Sequence, residues 1–334
     1  MADMSTAAQP GDARRPRVTV VTPVYNEEAG LEEYRDAVAK ILFPSGAARF
    51  EILFVEDGSR DASWSVIQRI CSQDPRFRAI RLSRNFGPHI ALSAGVDDAD
   101  GDAVCTLACD LQDPPETVLE FVERWKRGAQ IVWGRRRTRD EPAWRTWASR
   151  LFALLVRRFA MPKGSRFATG SFLLMDRLVA DAFRQFRERN RIVFALVAWT
   201  GFDQDVVEYD RRARRTGASG WTFGRMMRSM YDTFIAFSNL PAKLITLAGV
   251  GMFVLTFLTA VYLFLSWLLT DVVPGWTGIM MSITVLFGLN FLMLGVIGEY
   301  LSRIYGEATG RPLYFVSKRL GGRNVDDDGG RAAR

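Results

Sequence analysis

A chain of 334 residues with a formal net charge of +7 has room for one large domain and a smaller appendage. Its three cysteines, Cys71, Cys105 and Cys109, are odd in number and lack metal-ligand spacing, which excludes a disulfide scaffold or zinc framework and fits small core residues in a reducing compartment. The basic balance does not point to nucleic acid, because the charge gathers beside long apolar runs, where anionic lipid heads and phosphate ligands are the simpler partners.

Residues 1–16 are rich in Ala, Pro and charge and read as a disordered tail. Strands and helices then alternate. A continuous β-branched run predicts a buried strand at 18–21, and further strands are read at 51–55, 77–82, 103–107 and 131–134. Helical spacing predicts helices at 28–42, 62–71, 89–96 and 115–127, the last opening on Pro115 as suits a first turn. This rhythm predicts a parallel sheet with helices on both faces. Beyond Trp144 the pattern loosens: an amphipathic helix at 144–159, a strand at 171–175 and a helix at 176–186. Residues 221–240 mix Met, Phe and Tyr with Arg225 and Arg228, a composition for a helix lying in a membrane interface.

Two uncharged stretches follow, 244–269 and 276–298. A hydrocarbon core about 30 Å thick needs roughly 20 helical residues, so each is long enough to cross one. Backbone hydrogen bonds must close inside each helix, so two spans this close predict a hairpin. Arg225, Arg228 and Lys243 precede it and Arg303, Arg311, Lys318, Arg319 and Arg323 follow, whereas the break at 270–275 carries only Asp271. The positive-inside rule then predicts an integral, multi-pass protein of the inner membrane, with both termini and the head cytoplasmic, and 299–334 as a cytoplasmic end, disordered from 321. The apolar runs lie at the wrong end for a cleaved signal peptide. Trp267, Trp276 and Tyr300 read as interfacial anchors.

In open α/β sheets ligands bind beyond the carboxyl ends of the strands. Here those ends run into Thr22-Pro23-Val24-Tyr25-Asn26-Glu27, Glu56-Asp57-Gly58-Ser59, Asp110-Leu111-Gln112-Asp113 and Gly134-Arg135-Arg136-Arg137. Each has a plainer alternative: Asp-Gly-Ser as a turn and helix cap, Asp110 and Asp113 as caps, the Arg run as a solvated face. What is specific is their convergence on one edge of one sheet. His89, the sole histidine, reads as a surface or helix-start residue.

These runs, with Arg84-Asn85-Phe86-Gly87 and Cys109-Asp110-Leu111-Gln112-Asp113-Pro114-Pro115-Glu116, resemble the inverting family 2 glycosyltransferases, and within them the polyprenyl-phosphate type. Gly298-Glu299-Tyr300 through Tyr305-Gly306-Glu307 resembles the bactoprenol branch, and the likeness covers about residues 17–320. The resemblance implies a Rossmann-like GT-A nucleotide-sugar domain at 17–220, followed by the hairpin. It implies that Pro23, Tyr25, Glu27, Asp57 and Ser59 bind the donor, and that Asp110 and Gln112 hold Mg²⁺ or Mn²⁺ on its diphosphate. Arg135 is the implied catalytic partner of Asp110, and Arg135, Arg137, Arg214, Arg225 and Arg228 the acceptor-phosphate cations. The implied partners are a nucleotide sugar, with UDP-glucose or a related UDP-sugar ahead of GDP-mannose, and a polyprenyl phosphate. Relatives of this type are often homo-oligomers, and packing through the hairpin is part of the expectation.

The chain departs from the family pattern. The usual Asp-x-Asp reads Ala108-Cys109-Asp110, so one metal carboxylate is absent. Gly170-Ser171-Phe172 stands where relatives often have Gly-Asp-Phe, and Ser219-Gly220-Trp221 lacks a phosphate-facing lysine. A phosphate monoester has its second pKa near 6, so a lipid phosphate is already nucleophilic at neutral pH and needs no general base. A processive polysaccharide synthase and a non-catalytic scaffold, the latter motivated by Ala108, are the rival readings.

Overall fold

The computed structural model describes residues 15–137, 172–186, 188, 191–212 and 275–321, with scattered positions between 251 and 265. The expected helix at 144–159, the interfacial segment 221–240, most of the first apolar run and the two tails at 1–14 and 322–334 lie outside the described residues. The chain divides into two compact units, Met1–Arg225 with Pro312–Arg334, and Met226–Arg311.

The first unit is built on one eight-stranded sheet, ordered β7-β5-β6-β4-β1-β2-β3-β8. Its strands are β1 (Arg17–Val24), β2 (Arg49–Glu56), β3 (Phe77–Leu82), β4 (Ala103–Thr106), β5 (Ile131–Arg136), β6 (Leu173–Asp176), β7 (Gln204–Tyr209) and β8 (Val316–Leu320). The helices are α1 (Leu31–Ile41), α2 (Ser63–Gln73), α3 (Pro88–Asp98), α4 (Pro115–Lys126), α5 (Arg177–Arg184) and α6 (Val193–Trp199). β1 pairs in parallel with β2 and β4, and β2 with β3, as the alternating pattern requires. The expectation of a parallel sheet is corrected at two places: β6 runs antiparallel between β4 and β5, and β8 runs antiparallel along β3. β7 joins β5 in parallel, as a strand that the pattern did not reveal.

The core follows from the two-residue period of the strands. Val18, Val20, Ile52, Phe54 and Cys105 share one buried cluster with Tyr34 and Val38 of α1, Ile67 and Ile70 of α2, and Phe121 of α4. In α1 the buried positions Leu31, Tyr34 and Val38 fall at helical spacing, so one face packs while Glu32 and Glu33 sit at the start of the first turn. Val21 and Val55 point the other way, onto α3. Gly95 permits that contact, since a Cβ there would press into the Val21 side chain. Truncating a buried aromatic such as Phe54 or Phe121 costs about 3–5 kcal/mol.

β8 brings the C-terminal segment back to the sheet edge. Ser83 N–H donates to the Phe315 carbonyl at 2.9 Å, and the Tyr314 hydroxyl donates to Asp97 at 2.9 Å. Arg319 and Arg78 both pair with Asp98, and Arg78 pairs with Glu51 as well.

In the second unit, α7 (Trp276–Ala308) is one continuous helix of 33 residues. Ile279, Ile283, Phe287, Leu294, Ile297 and Leu301 are exposed along it. Among the described residues no helix is long and apolar enough to cross a membrane.

Candidate functional site

The loops after β1 and β2 are joined by their own polar side chains. Asn26 N–H donates to Ser59 Oγ at 3.0 Å, and Asn26 Oδ1 accepts from Arg60 N–H at 2.9 Å. Glu27 N–H donates to Ser63 Oγ at 3.0 Å, and Glu28 Oε2 accepts from Ala62 N–H at 2.7 Å. Ser59 is therefore a tie between loops, buried and engaged. Its own N–H donates to Glu56. Glu56 is fully buried, and Arg81 Nε lies 2.8 Å from its other oxygen as an ion pair. Gly58 has φ +66°, and a Cβ there would overlap the backbone of Arg84 and Asn85, so the Asp57-Gly58-Ser59 turn needs glycine for both reasons.

Asp57 is 3% exposed. One carboxylate oxygen accepts from Phe86 N–H at 2.7 Å and the other from Gly87 N–H at 2.9 Å, just ahead of α3. Burial raises its pKa, and the two N–H donors oppose that shift. Each oxygen keeps a further lone pair for a ligand.

A cleft of about 210 Å³ opens at this edge. Among its lining residues are Pro23, Tyr25, Glu27, Asp57, Ala108 and Asp110. Five of the expected donor residues thus meet in one hollow: Pro23, Tyr25, Glu27, Asp57 and Asp110. Three of these are carboxylates, and no Lys or Arg lines the cleft among the described residues. A polyanionic ligand can occupy such a wall only with a cation beside it.

The Asp110 loop is tightly turned. Leu111 has φ +52° and Asn26, across the edge, φ +53°, both in the left-handed region. For a side chain like leucine that conformation costs of order 1–3 kcal/mol and persists where surroundings enforce it. Gln112 N–H donates to Asp110 Oδ1 at 3.2 Å, so the residue expected to assist with its side chain also shapes the turn with its backbone. Asp113 is 2% exposed and accepts from the Tyr209 hydroxyl at 2.6 Å. Arg212 N–H donates to the Gln112 carbonyl at 2.9 Å.

Among the described residues no group of three or more His, Cys, Asp or Glu side chains is gathered to hold a metal by itself. The donor set still fits a hard divalent ion. Mg²⁺ commonly takes one or two carboxylates, several waters and the oxygens of substrate phosphates, and Asp110 offers one carboxylate on the cleft wall.

Arg135 and Arg137, expected to meet phosphates, are exposed at the end of β5. Arg135 pairs with Glu208 at 2.6 Å, and Arg137 with Asp210 at 3.4 Å, both acids from β7 and its exit. Neither arginine lines the cleft. Arg214, Arg225 and Arg228 lie outside the described residues. His89 is half-buried with Nδ1 sealed from solvent and without a hydrogen-bond partner, its ring 5.6 Å from that of Phe194. Burial lowers its pKa to about 4, which keeps it neutral.

Sequence reasoning missed β7 and its acids. The signal was there: Val207 and Tyr209 alternate with Glu208 and are buried while Glu208 is exposed. Asn26 and Glu28 as loop ties were also missed, since a polar residue in a motif reads as a ligand group before it reads as a brace.

The model for "Glycosyl transferase family 2" matches residues 19–184. An uncharacterized glycosyltransferase of Bacillus subtilis (strain 168), YkcC, is 37% identical over 93% of this chain and 97% of its own length. The SfII prophage-derived bactoprenol glucosyl transferase of Shigella flexneri is 32% identical over 90% of this chain and 98% of its own. The undecaprenyl-phosphate 4-deoxy-4-formamido-L-arabinose transferase of Pseudomonas aeruginosa (strain LESB58) is 35% identical over 90% of this chain and 89% of its own. Among solved structures, a mannosyltransferase of Pyrobaculum calidifontis in complex with GDP-Man and Mn²⁺ aligns with 87% of this chain and 88% of its own at 17% identity and a TM-score of 0.48.

Proposed function

This chain belongs to glycosyl transferase family 2, and on that premise we propose that it transfers one sugar from a nucleotide-sugar donor to a polyprenyl phosphate at the cytoplasmic face of a membrane, with inversion. The donor is a UDP-sugar, UDP-glucose first. The observation that carries this reading is the cleft in which Tyr25, Glu27, Asp57 and Asp110 meet at the carboxyl ends of β1, β2 and β4. Support for the acceptor comes from two relatives matched over most of their length, one named for bactoprenol and one for undecaprenyl phosphate.

The chemistry follows from the charges. Pro23, Tyr25 and Asp57 receive base and ribose, which directs the diphosphate toward Asp110. A phosphate oxygen of the lipid attacks the anomeric carbon from the face opposite the diphosphate. The new bond to C1 forms as the bond to the departing oxygen breaks, so the configuration inverts and a nucleoside diphosphate leaves. Asp110, with Gln112 assisting, would hold a divalent metal, Mg²⁺ or Mn²⁺, which would neutralise negative charge on that leaving group. Arg135, released from Glu208, adds positive charge for the two anions to meet.

The membrane reading belongs to the same proposal. Residues 276–298 are uncharged throughout, and the helix containing them is unbroken for 33 residues. We read it, with the uncharged run 244–269, as the two membrane spans expected from the sequence, a reading that suits a lipid-phosphate acceptor.

The test is a donor panel. The full-length protein in lipid nanodiscs is incubated with undecaprenyl phosphate, Mg²⁺ or Mn²⁺, and radiolabelled UDP-glucose, UDP-N-acetylglucosamine or GDP-mannose. Label moving into the organic phase as a monoglycosylated lipid, and lost in Asp110→Asn, is the expected result. No lipid-soluble label from any donor would remove the proposal, and a growing polymer would replace it with a processive synthase.

A further inference from the structure

The turn that presents Asp110 is clamped from a strand with no place in the donor pocket. Tyr209, the last residue of β7, is buried, its ring edge-on to Phe172 with centroids 5.4 Å apart. Its hydroxyl donates to Asp113 Oδ1 at 2.6 Å and accepts from Arg136 Nε at 3.5 Å. Arg211 Nε lies 3.7 Å from Asp113 Oδ1, Arg212 N–H donates to the Gln112 carbonyl at 2.9 Å, and the Arg212 guanidinium pairs with Glu116 at 2.9 Å. The exit of β7 therefore grips residues 112, 113 and 116, while Leu111 is held at φ +52° and Gln112 N–H is turned onto Asp110. A leucine stays in the left-handed region only where its surroundings enforce that conformation. On the Asp110 side the turn faces the open cleft. On the other side the fixing comes through Asp113.

We propose that Tyr209 is a positioning residue for Asp110: its hydroxyl locks Asp113, and the locked turn aims the Asp110 carboxylate at the donor diphosphate and its metal. This rests on the proposed function. Burial, followed by the neighbouring Asp113 charge, pushes the Tyr209 pKa up to about 12, so the hydroxyl remains a donor throughout the neutral range. A group hydrogen-bonded directly to a metal ligand commonly sets affinity by about 10–100-fold, and Tyr209, acting through Asp113, is placed at the lower end of that range.

The experiment uses the full-length protein and Tyr209→Phe, which keeps the ring against Phe172 and removes only the oxygen. Free Mn²⁺ is read by electron paramagnetic resonance during titration with UDP present, and thermal unfolding is followed without metal. Half-saturation by Mn²⁺ is expected to weaken about tenfold in Tyr209→Phe. Asp113→Asn and the double variant complete a cycle in which the double is no worse than the more affected single, because both break one link. Unchanged Mn²⁺ half-saturation in Tyr209→Phe overturns the proposal, including when its unfolding temperature falls, since that marks a role in stability alone. Additive effects in the cycle overturn it as well. If the unaltered protein retains no Mn²⁺ with UDP, the donor-site reading itself fails, and the result is distinguishable because it appears before any substitution.

Discussion

Asp57 Oδ2 accepts the backbone N–H of Gly87 at 2.9 Å, which fastens the end of β2 to the start of α3. The neighbouring N–H of Phe86 takes the other oxygen at 2.7 Å. An asparagine here offers one acceptor oxygen and turns its NH₂ toward an N–H. Asp57→Asn is expected to lose about 1–3 kcal/mol of stability, the cost of an unsatisfied buried polar group, and to raise the donor KM. Urea unfolding and initial-rate kinetics check the two effects separately.

The Leu111 backbone predicts an inversion of the usual glycine penalty. Glycine ordinarily costs about 0.5–1 kcal/mol relative to alanine inside regular structure. At φ +52° the order reverses, and Leu111→Gly is expected to be more stable than Leu111→Ala by about 1 kcal/mol. Chemical denaturation of the two variants decides it.

Arg135 and Glu208 form an exposed pair, worth at most about 1 kcal/mol to the fold. Arg135→Ala and Glu208→Ala are each expected to unfold within about 0.5 kcal/mol of the unaltered protein. Their activities diverge: Arg135→Ala slows transfer by at least about tenfold, the effect of losing one charge-stabilising group, whereas Glu208→Ala leaves the arginine available and the rate undiminished. Equal rates for both variants would place Arg135 outside the chemistry.

His89 makes stability acid-sensitive. Burial lowers its pKa from 6.5 to about 4, so between these values the unfolded chain binds the proton more readily than the native one. Its contribution is complete above pH 6.5 and is lost as pH falls toward 4. His89→Phe is expected to flatten that part of the profile, read as unfolding temperature against pH. An unaltered slope would mean that other groups carry it.

The parallel centre of the fold was legible because β1, β2, β3 and β4 are mostly buried and rich in apolar and β-branched residues, even where Arg78 and Arg81 interrupt β3. The edges were not. β7 has only two buried residues, Val207 and Tyr209, and β8 carries Lys318 and Arg319 facing solvent, so neither shows the apolar density of a central strand. β8 also pairs across more than two hundred positions of sequence, a contact that local pattern cannot signal. At the site, Tyr25, Asp57 and Asp110 were legible from their place after strands. Ser59 was legible as a residue of the motif, but its buried hydroxyl bonds Asn26 N–H, a link that appears only when two loops meet.

The central claim is that the nucleophile is a lipid phosphate. Paired reactions with polyprenyl phosphate and with the matching polyprenol, under one donor and one metal concentration, test it most directly. The account predicts glycolipid from the phosphate and none from the alcohol, because no general base is required of the site and the phosphate carries its own negative charge. Equal product from both lipids, or product from the alcohol alone, would contradict it.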